Sequence, residues 1–257
     1  MFSNSQALSR ASHELRTPLN AILGFGQLLA LDELNESQRH SVDQIMAGGR
    51  HLLALVEDLL AVSRLESEGL KLQPVEITAE IEEAVSLCRP LAAAASLTMT
   101  VDAGEEPLWA MADPRRLKQV LLNLISNAIK YNRPGGWITV RARRDGEGVR
   151  FDVADSGVGM TYQQLTRLFA PFERLDAPSR GIEGSGLGLA VSKTLVEAMH
   201  GWIDVASTPG TGSVFSVRLL AAVPAGTVTA GAMPAGAAPA GAAPAAAKRA
   251  AALAQAA

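Results

Sequence analysis

Three polar side chains share one face of a predicted helix in the stretch NLISNAIKYN, residues 123–132. Asn123, Asn127 and Lys130 are spaced by four and three residues, so they lie on the same side of an α-helix, with Tyr131 beside them. Amide oxygens can coordinate Mg²⁺, and a lysine one turn further on can meet phosphate charge. The alternative is a polar, solvent-facing surface, although asparagine is a mediocre helix former.

A predicted strand runs into a glycine turn in the stretch DVADSGVGM, residues 152–160. Asp155, at the end of that strand, could accept a hydrogen bond from an exocyclic amine. Gly157 and Gly159 permit positive φ or the close approach of a flat ligand to the backbone. Taken alone, the pattern also fits an ordinary glycine-rich turn.

A second glycine-rich stretch, GSGLGLAVSK at residues 184–193, leads directly into an amphipathic helix. Backbone N–H groups at a helix N-terminus bind anions, and Gly184, Gly186 and Gly188 would let phosphates come close. No Gly-Lys-Ser or Gly-Lys-Thr triplet follows to complete a Walker loop, and the strand that precedes a dinucleotide-binding turn is absent. Both of those nucleotide-binding classes are therefore disfavoured.

Two further segments belong to the same half of the chain. The stretch GTGSVF, residues 210–215, is a glycine turn that opens a strand and includes Thr211. The segment LFAPFERLDAPSRGIEGSG, residues 168–186, is long and rich in Gly, Pro and charge. Loops of this kind often cover a site, and Arg174 on it could reach a phosphate.

A titratable pair, His13 and Glu14, lies in the N-terminal helical stretch SHELRTPLNAILGFGQLL, residues 12–29. A neutral imidazole offers a nucleophilic nitrogen, and a carboxylate on the other ring nitrogen can fix its tautomer. Pro18 follows within the same helix, where an interior proline costs about 3 kcal/mol. We therefore expect a bend just beyond the pair.

Apolar residues recur at heptad spacing from Leu8 to Leu29 and again from Val42 to Ser63, which predicts a helical hairpin. The polar segment 31–37 connects the two helices, with Asn35 or Ser37 as the N-cap of the second. One hairpin buries too little surface to be stable alone. We therefore expect two copies to form a four-helix bundle, and so a homodimer.

Mixed strand and helix patterns after residue 68 predict a second, α/β domain. The predicted strands lie near 70–77, 97–102, 109–112, 136–144, 148–154, 202–206 and 213–220. The predicted helices lie near 78–95, 113–132, 161–168 and 187–200. The chain thus divides into a helical hairpin (1–68), an α/β domain (69–220) and an Ala/Pro/Gly-rich tail (221–257) that we expect to be disordered.

The composition excludes several classes of protein. The net charge of −3 over 257 residues gives no reason to expect binding to nucleic acid or to an anionic membrane. Cys88 is the only cysteine, so an intrachain disulfide is impossible and a reducing compartment fits. We find no secretory signal and no uncharged apolar run long enough to span a membrane. We expect a cytoplasmic chain, and attachment of a longer protein to a membrane through a sensor region stays open.

The order of these motifs over residues 7–220 resembles the transmitter core of a bacterial sensor histidine kinase. SHELRTPLNAI resembles the phosphoacceptor box, NLISNAIKYN the N box, DSGVGM the first glycine box and LFAPFERL the F box. GSGLGLAVSK and GTGSVF resemble the second and last glycine boxes. The resemblance implies a dimeric helical hairpin that forms a four-helix bundle, followed by an α/β-sandwich ATP-binding domain of the type shared with gyrase-like ATPases.

The resemblance also implies a role for each site residue, with ATP and Mg²⁺ as cofactors. His13 would be the phosphorylated nucleophile, Glu14 its acid–base partner, and Thr17 the residue that orients a hydrolytic water in a phosphatase reaction. Asn127 would hold Mg²⁺, and Arg174 would face the γ-phosphate. The residues implied to bind ATP are Asn123, Asn127, Lys130, Tyr131, Asp155, Gly157, Gly159, Arg174, Gly184, Gly186, Leu187, Gly188 and Thr211.

Two rival functions use the same pocket. A gyrase-like ATPase needs a general base where this chain has Asn123, and an amide cannot act as a base. A nucleotide-binding scaffold without transfer would be indicated by loss of Asn127, Asp155 or the glycines, all of which are present. We therefore predict a histidine autokinase that passes its phosphoryl group to an aspartate in the receiver domain of a response regulator, with phosphatase activity toward that regulator as a further expectation.

Overall fold

A computed structural model of the protein describes residues 3–104, 106–173, 175 and 185–223. Arg174 and Gly184, both expected at the site, lie outside the described residues, as does nearly all of the expected tail. The elements are, in chain order, α1 (Ser3–Leu29), α2 (Glu36–Glu68), β1 (Gln73–Glu76), α3 (Ile77–Ala94), β2 (Thr98–Asp102), β3 (Trp109–Ala112), α4 (Pro114–Lys130), β4 (Trp137–Asp145), β5 (Gly148–Asp155), α5 (Tyr162–Leu165), α6 (Gly188–Ala198), β6 (Trp202–Thr208) and β7 (Gly212–Leu220).

Helices α1 and α2 form the predicted hairpin, and Asn35 is the N-cap of α2. The Asn35 side chain accepts a hydrogen bond from the backbone N–H of Gln38 at 2.9 Å, and the Gln38 side chain accepts one from the backbone N–H of Asn35 at 3.0 Å. This reciprocal pair satisfies two N–H groups that the first turn of a helix leaves without partners. Helix α1 continues through Pro18, so the proline does not end it.

Only part of the heptad pattern is buried within one hairpin. Leu19, Val42 and Met46 are buried between the helices. Gly26 and Gly49 are the points of closest approach, since an added Cβ would come within 2.8 Å of Met46 and 2.9 Å of Leu23, respectively. Five other large apolar residues of the pattern are exposed, namely Leu15, Ile22, Leu29, Ile45 and Leu52. A single chain thus leaves an apolar stripe of the hairpin uncovered.

The α/β region is built on a five-stranded sheet with the order β2-β4-β5-β7-β6, in which only β2 and β4 run parallel. Its core combines inward residues of these strands with the apolar faces of α3, α4 and α6. Representative members are Ile81, Leu121, Ile125, Ile138, Phe151, Leu195 and Val217. This packing presents the end of β5, the start of β7 and the end of α4 to the same region of the domain.

Strands β1 and β3 form a separate antiparallel pair. Ala221 makes a bridge to Ala110 beside this pair, and the backbone N–H of Ala222 donates to the carbonyl of Trp109 at 2.8 Å. Backbone pairing therefore continues two residues past the expected end of the α/β domain at residue 220.

The predicted helix at 161–168 is wrong in length, because α5 covers only Tyr162–Leu165. A capping box between Thr161 and Gln164 starts this helix. The chain then continues in turns up to Pro171, and a proline disfavours helical geometry in the residue before it. Among the described residues, no helix is both long enough and apolar enough to cross a membrane.

Candidate functional site

Helix α4 carries the asparagine face that the sequence indicated. Asp113 caps its N-terminus by accepting hydrogen bonds from the backbone N–H groups of Arg115 and Arg116, at 3.1 and 3.2 Å. The apolar side of α4 faces the core, which leaves Asn123 and Asn127 half-buried on the other side. The last turn of the helix then ends with exposed Lys130 and half-buried Tyr131.

The Asp155 carboxyl, at the end of β5, is buried. The backbone N–H of Gly157 donates to its Oδ1 at 2.8 Å. Burial raises the pKa of Asp155 to about 6, and hydrogen bonds from the backbone N–H groups of Gly157 and Ser213 oppose that rise only in part. The Asp155 carboxyl is therefore a buried hydrogen-bond acceptor, and its charged form is unfavourable unless a further donor binds it.

The glycines after β5 are required by the protein's own backbone. A Cβ on Gly157 would collide with the Tyr131 carbonyl and lie 2.7 Å from Asp155 Oδ1. Gly159 has a φ of 64°, and a Cβ there would collide with the Thr208 carbonyl. The turn therefore packs directly against the end of α4 and the end of β6.

The first turn of α6 is a second glycine-dependent structure. Gly186 has a φ of 72° and lies against the backbone of Phe172, so a Cβ would come within 2.8 Å of that residue's carbonyl carbon. Leu187 occupies the N-cap position, and its buried aliphatic side chain cannot cap the helix. Backbone N–H groups at such a helix start favour an anion. Gly188 packs against the side-chain amide of Asn123.

Hydrogen bonds join these segments into one site. The Tyr131 carbonyl accepts from the N–H of Val158 at 3.1 Å, which ties the end of α4 to the glycine turn. The Val158 carbonyl accepts from the N–H of Gly210 at 2.7 Å, which ties that turn to the β6–β7 connection. Thr211, in the same connection, is exposed.

Several supporting residues were not anticipated from the sequence. Ser156 Oγ accepts from the N–H of Trp137 at 2.8 Å and donates to Asn132 Oδ1 at 3.2 Å, which braces the segment that follows Asp155. The Lys193 ammonium lies 5.3 Å from the ring centre of Phe169, a cation–π distance that joins α6 to the turns after α5. The sequence signal that could have identified such residues is a hydroxyl or amide side chain next to a predicted site residue, as Ser156 is next to Asp155.

The pair His13 and Glu14 lies in the helical hairpin rather than in the α/β region. His13, Glu14 and Thr17 all belong to α1. His13 and Thr17 are four residues apart and so share one face of the helix. Thr17 is exposed.

Two family models match the chain in the regions that carry these features. The model described as "Histidine kinase-, DNA gyrase B-, and HSP90-like ATPase" matches residues 112–223, which include α4, the glycine turn and α6. The model described as "His Kinase A (phospho-acceptor) domain" matches residues 3–68, which include α1 and α2. The fold and site thus define a phosphoacceptor hairpin followed by an ATP-binding domain of the histidine kinase and gyrase type.

Similar proteins agree with this class. The chain is 40% identical over 228 residues to the "Non-motile and phage-resistance protein" of Caulobacter vibrioides, covering 84% of this chain and 27% of that protein. It is 36% identical over 229 residues to the "Cell-division control histidine kinase PdhS" of Brucella anthropi, covering 83% of this chain and 22% of that protein. The chain therefore spans roughly a quarter of the length of these curated relatives.

Solved structures give the same result. The structure of full-length ShkA in complex with AMPPNP matches with a TM-score of 0.69 and 35% identity, covering 84% of this chain and 46% of that one. The Acinetobacter baumannii histidine kinase AdeS matches with a TM-score of 0.57 and 27% identity, covering 81% of this chain and 97% of that one. With both domain models and these relatives, the chain belongs to the histidine kinase family, and its two matched regions form a transmitter core.

Proposed function

We propose that this chain is an ATP-dependent protein histidine autokinase whose hairpin (1–68) is phosphorylated by its α/β domain (69–220). The observation that carries the proposal is the buried Asp155 carboxyl. Asp152, three residues earlier on β5, is also buried but forms ion pairs with Arg143 and Arg150 at 3.0 and 2.7 Å. Within the part of the chain that the structure describes, the groups that act on Asp155 are the backbone N–H groups of Gly157 and Ser213, and none of them is a cation. A buried acceptor without a cationic partner suits the amine of an adenine base.

The other site residues surround that base and its phosphates in this proposal. Gly157 and Gly159 line the base, with Tyr131 against it. The residues that we assign to the phosphates are Asn123, Lys130, Gly186, Leu187, Gly188 and Thr211. The family resemblance adds Gly184 at the phosphates and Arg174 at the γ-phosphate, and both lie outside the described residues. The AMPPNP complex of the similar protein ShkA supports ATP as the nucleotide.

The side chains of the proposed site would bind Mg²⁺ through an amide oxygen rather than through carboxylates. Among the described residues, His, Cys, Asp and Glu side chains form no group of three that could hold a metal ion. Asn127 offers a hard amide oxygen on the site face of α4, and the nucleotide's phosphates supply further oxygens. When bound there, Mg²⁺ neutralises phosphate charge during transfer.

The reaction at His13 is a nucleophilic displacement. A nitrogen of the neutral imidazole attacks the γ-phosphorus, an N–P bond forms, and the bond to the β–γ bridging oxygen breaks as ADP leaves with the electron pair. Glu14 stabilises the positive charge that develops on the ring and takes up its proton. The phosphohistidine then gives its phosphoryl group to a receiver-domain aspartate, so the N–P bond breaks as an acyl phosphate forms.

The proposal includes two further properties of the hairpin, namely phosphatase activity and dimerisation. Thr17, one turn after His13, positions a water that hydrolyses the phosphorylated regulator. The exposed apolar stripe of the hairpin packs against that of a second chain in a four-helix bundle. Its members are Leu15, Ile22, Leu29, Ile45 and Leu52.

The test is incubation with γ-labelled ATP and Mg²⁺, using the parent chain and the variants His13→Gln and Asn127→Ala. The expected product is label on the parent that is lost in acid and stable in base, with no label on either variant. His40→Gln, an exposed histidine on α2, is the matched control and should label like the parent. Equal labelling of His13→Gln and the parent would rule out His13 as the acceptor.

A further inference from the structure

Ser192 is a buried hydroxyl residue on α6 to which no role has been given above. It is 2% exposed and lies in the second turn of α6, on the side that faces α4. Its Oγ accepts a hydrogen bond from Asn123 Nδ2 at 2.8 Å, across 69 residues of sequence. The hydroxyl therefore acts on a residue of the proposed phosphate site from outside that site.

The Asn123 amide is held by α6 in two ways. Gly188 and Ser192 are four residues apart and so share one face of α6. A Cβ on Gly188 would collide with Asn123 Oδ1 and lie 3.2 Å from its Nδ2, so the amide lies directly against the helix backbone there. Gly188 thus gives the amide space, while Ser192 accepts from its nitrogen.

This arrangement fixes which end of the amide points where. With Nδ2 directed to Ser192, Oδ1 lies beside Gly188, at the N-terminus of α6. An amide turned by 180° would place two N–H donors beside that helix start, where backbone N–H groups already point. The Ser192 hydroxyl can either accept from Nδ2 or donate to Oδ1, so the helix start selects the orientation and Ser192 holds the nitrogen end of the amide in place.

We propose that Ser192 is a positioning residue of the autokinase: it holds the Asn123 carboxamide in the orientation that the N-terminus of α6 favours, with the oxygen toward the phosphate end of the site. The inference rests on the proposed function for the place of the phosphates, but the orientation itself does not. An amide oxygen at that end can accept a hydrogen bond from water, whereas an amide NH₂ group there would donate to the phosphates instead. The effect of Ser192 on phosphoryl transfer therefore passes through Asn123.

The first measurement is the side-chain amide NMR signal of Asn123 in the nucleotide-free chain, assigned with the Asn123→Ala variant. Ser192→Ala should shift the Nδ2 resonances and speed their exchange with water, because the acceptor is lost. Ser192→Thr keeps a hydroxyl and should restore most of the parent signal. Thr194→Ala is the matched control, since the exposed Thr194 donates only to the Ala190 carbonyl of its own helix, at 3.1 Å.

The second measurement is a double-mutant cycle on the autophosphorylation rate. Ser192→Ala should lower the maximal rate about tenfold and move the half-saturating ATP concentration by less than about threefold. In the Asn123→Ala background the same change should alter the rate by less than about twofold, because the positioned group is gone.

Each outcome decides the proposal. An Asn123 signal unchanged by Ser192→Ala overturns the positioning role, as does an equal loss of rate in both backgrounds. A shifted signal with an unchanged rate also overturns it, since the orientation would then have no effect on transfer. If the parent chain does not label at all, the proposed function fails, and the NMR measurement alone decides whether Ser192 orients Asn123.

Discussion

Replacing Asp155 with asparagine should stabilise the α/β region at neutral pH while it abolishes nucleotide binding. Asp155 is buried, and its hydrogen bond from Gly157 and the neighbouring backbone N–H of Ser213 do not offset the loss of water. The buried carboxyl therefore destabilises the fold, and in the proposed function it is retained because it binds the nucleotide. The asparagine variant separates these two effects.

The magnitude follows from the pKa. Folding raises the pKa of Asp155 from 3.8 to about 6, chiefly through burial. The folded state therefore binds this proton more tightly than the unfolded state, and stability falls as the pH rises through that window. The penalty reaches about 3 kcal/mol at pH about 7.5, and about 1 kcal/mol of it remains at pH about 4.5.

Asparagine is neutral at every pH and so avoids the penalty, but its single amide oxygen replaces two carboxylate oxygens next to two backbone donors. We subtract about 1 kcal/mol for the weaker hydrogen bonding, which leaves a net gain of about 2 kcal/mol at pH about 7.5. The difference between variant and parent should shrink by about 2 kcal/mol on going to pH about 4.5.

Urea unfolding followed by tryptophan fluorescence measures this difference, because all three tryptophans lie in strands of the α/β region, at 109, 137 and 202. Asp152→Asn is the matched control on the same strand. It should destabilise the domain, because it removes the carboxylate that pairs with Arg143 and Arg150. An Asp155→Asn variant that is less stable than the parent by the same amount at both pH values would refute the reasoning.

Three shorter predictions concern the glycine turns and the hairpin. Gly159→Ala should lower the free energy of urea unfolding by about 2 kcal/mol more than Gly210→Ala does. Both glycines have positive φ, but a Cβ at position 159 would collide with the Thr208 carbonyl, whereas position 210 is open. Equal losses of stability would contradict this. Asn35→Ala should lower the unfolding free energy of the hairpin by about 1 kcal/mol through loss of the α2 cap, measured by helical circular dichroism, and an unchanged melt would contradict it. Ile22→Asp should convert a dimer to a monomer in sedimentation equilibrium, and an unchanged mass would argue against the bundle.

The regular elements could be predicted because their signals are local. Residue type and position limit the cap of α2 to Asn35 or Ser37, of which the structure has Asn35, and the boundaries of β2 and β3 follow from short strand-like runs between turn residues. The asparagine face of α4 likewise follows from spacing alone. In each case the information lies within one element, so no knowledge of its neighbours is needed.

Contacts between distant elements could not be predicted in the same way. For the glycines at 157 and 159 the sequence predicts positive φ or the close approach of a flat ligand, and Gly159 does have a positive φ. It does not show that the carbonyls of Tyr131 and Thr208 occupy the space that a Cβ would need. The hydrogen bond from Asn123 to Ser192 depends on how α4 and α6 pack, and Ser192 by itself is an ordinary helix residue. Tertiary packing decides these features, and sequence spacing does not report it.

The most direct test of the account is intact-protein mass spectrometry after incubation with ATP and Mg²⁺ at neutral pH. We expect an added mass of one phosphoryl group that disappears on brief acid treatment and that fragmentation places on His13. The addition should be absent when Asp155→Asn replaces the parent, because the nucleotide no longer binds. A stable phosphoryl group on a serine or threonine, or full modification of Asp155→Asn, would contradict the account.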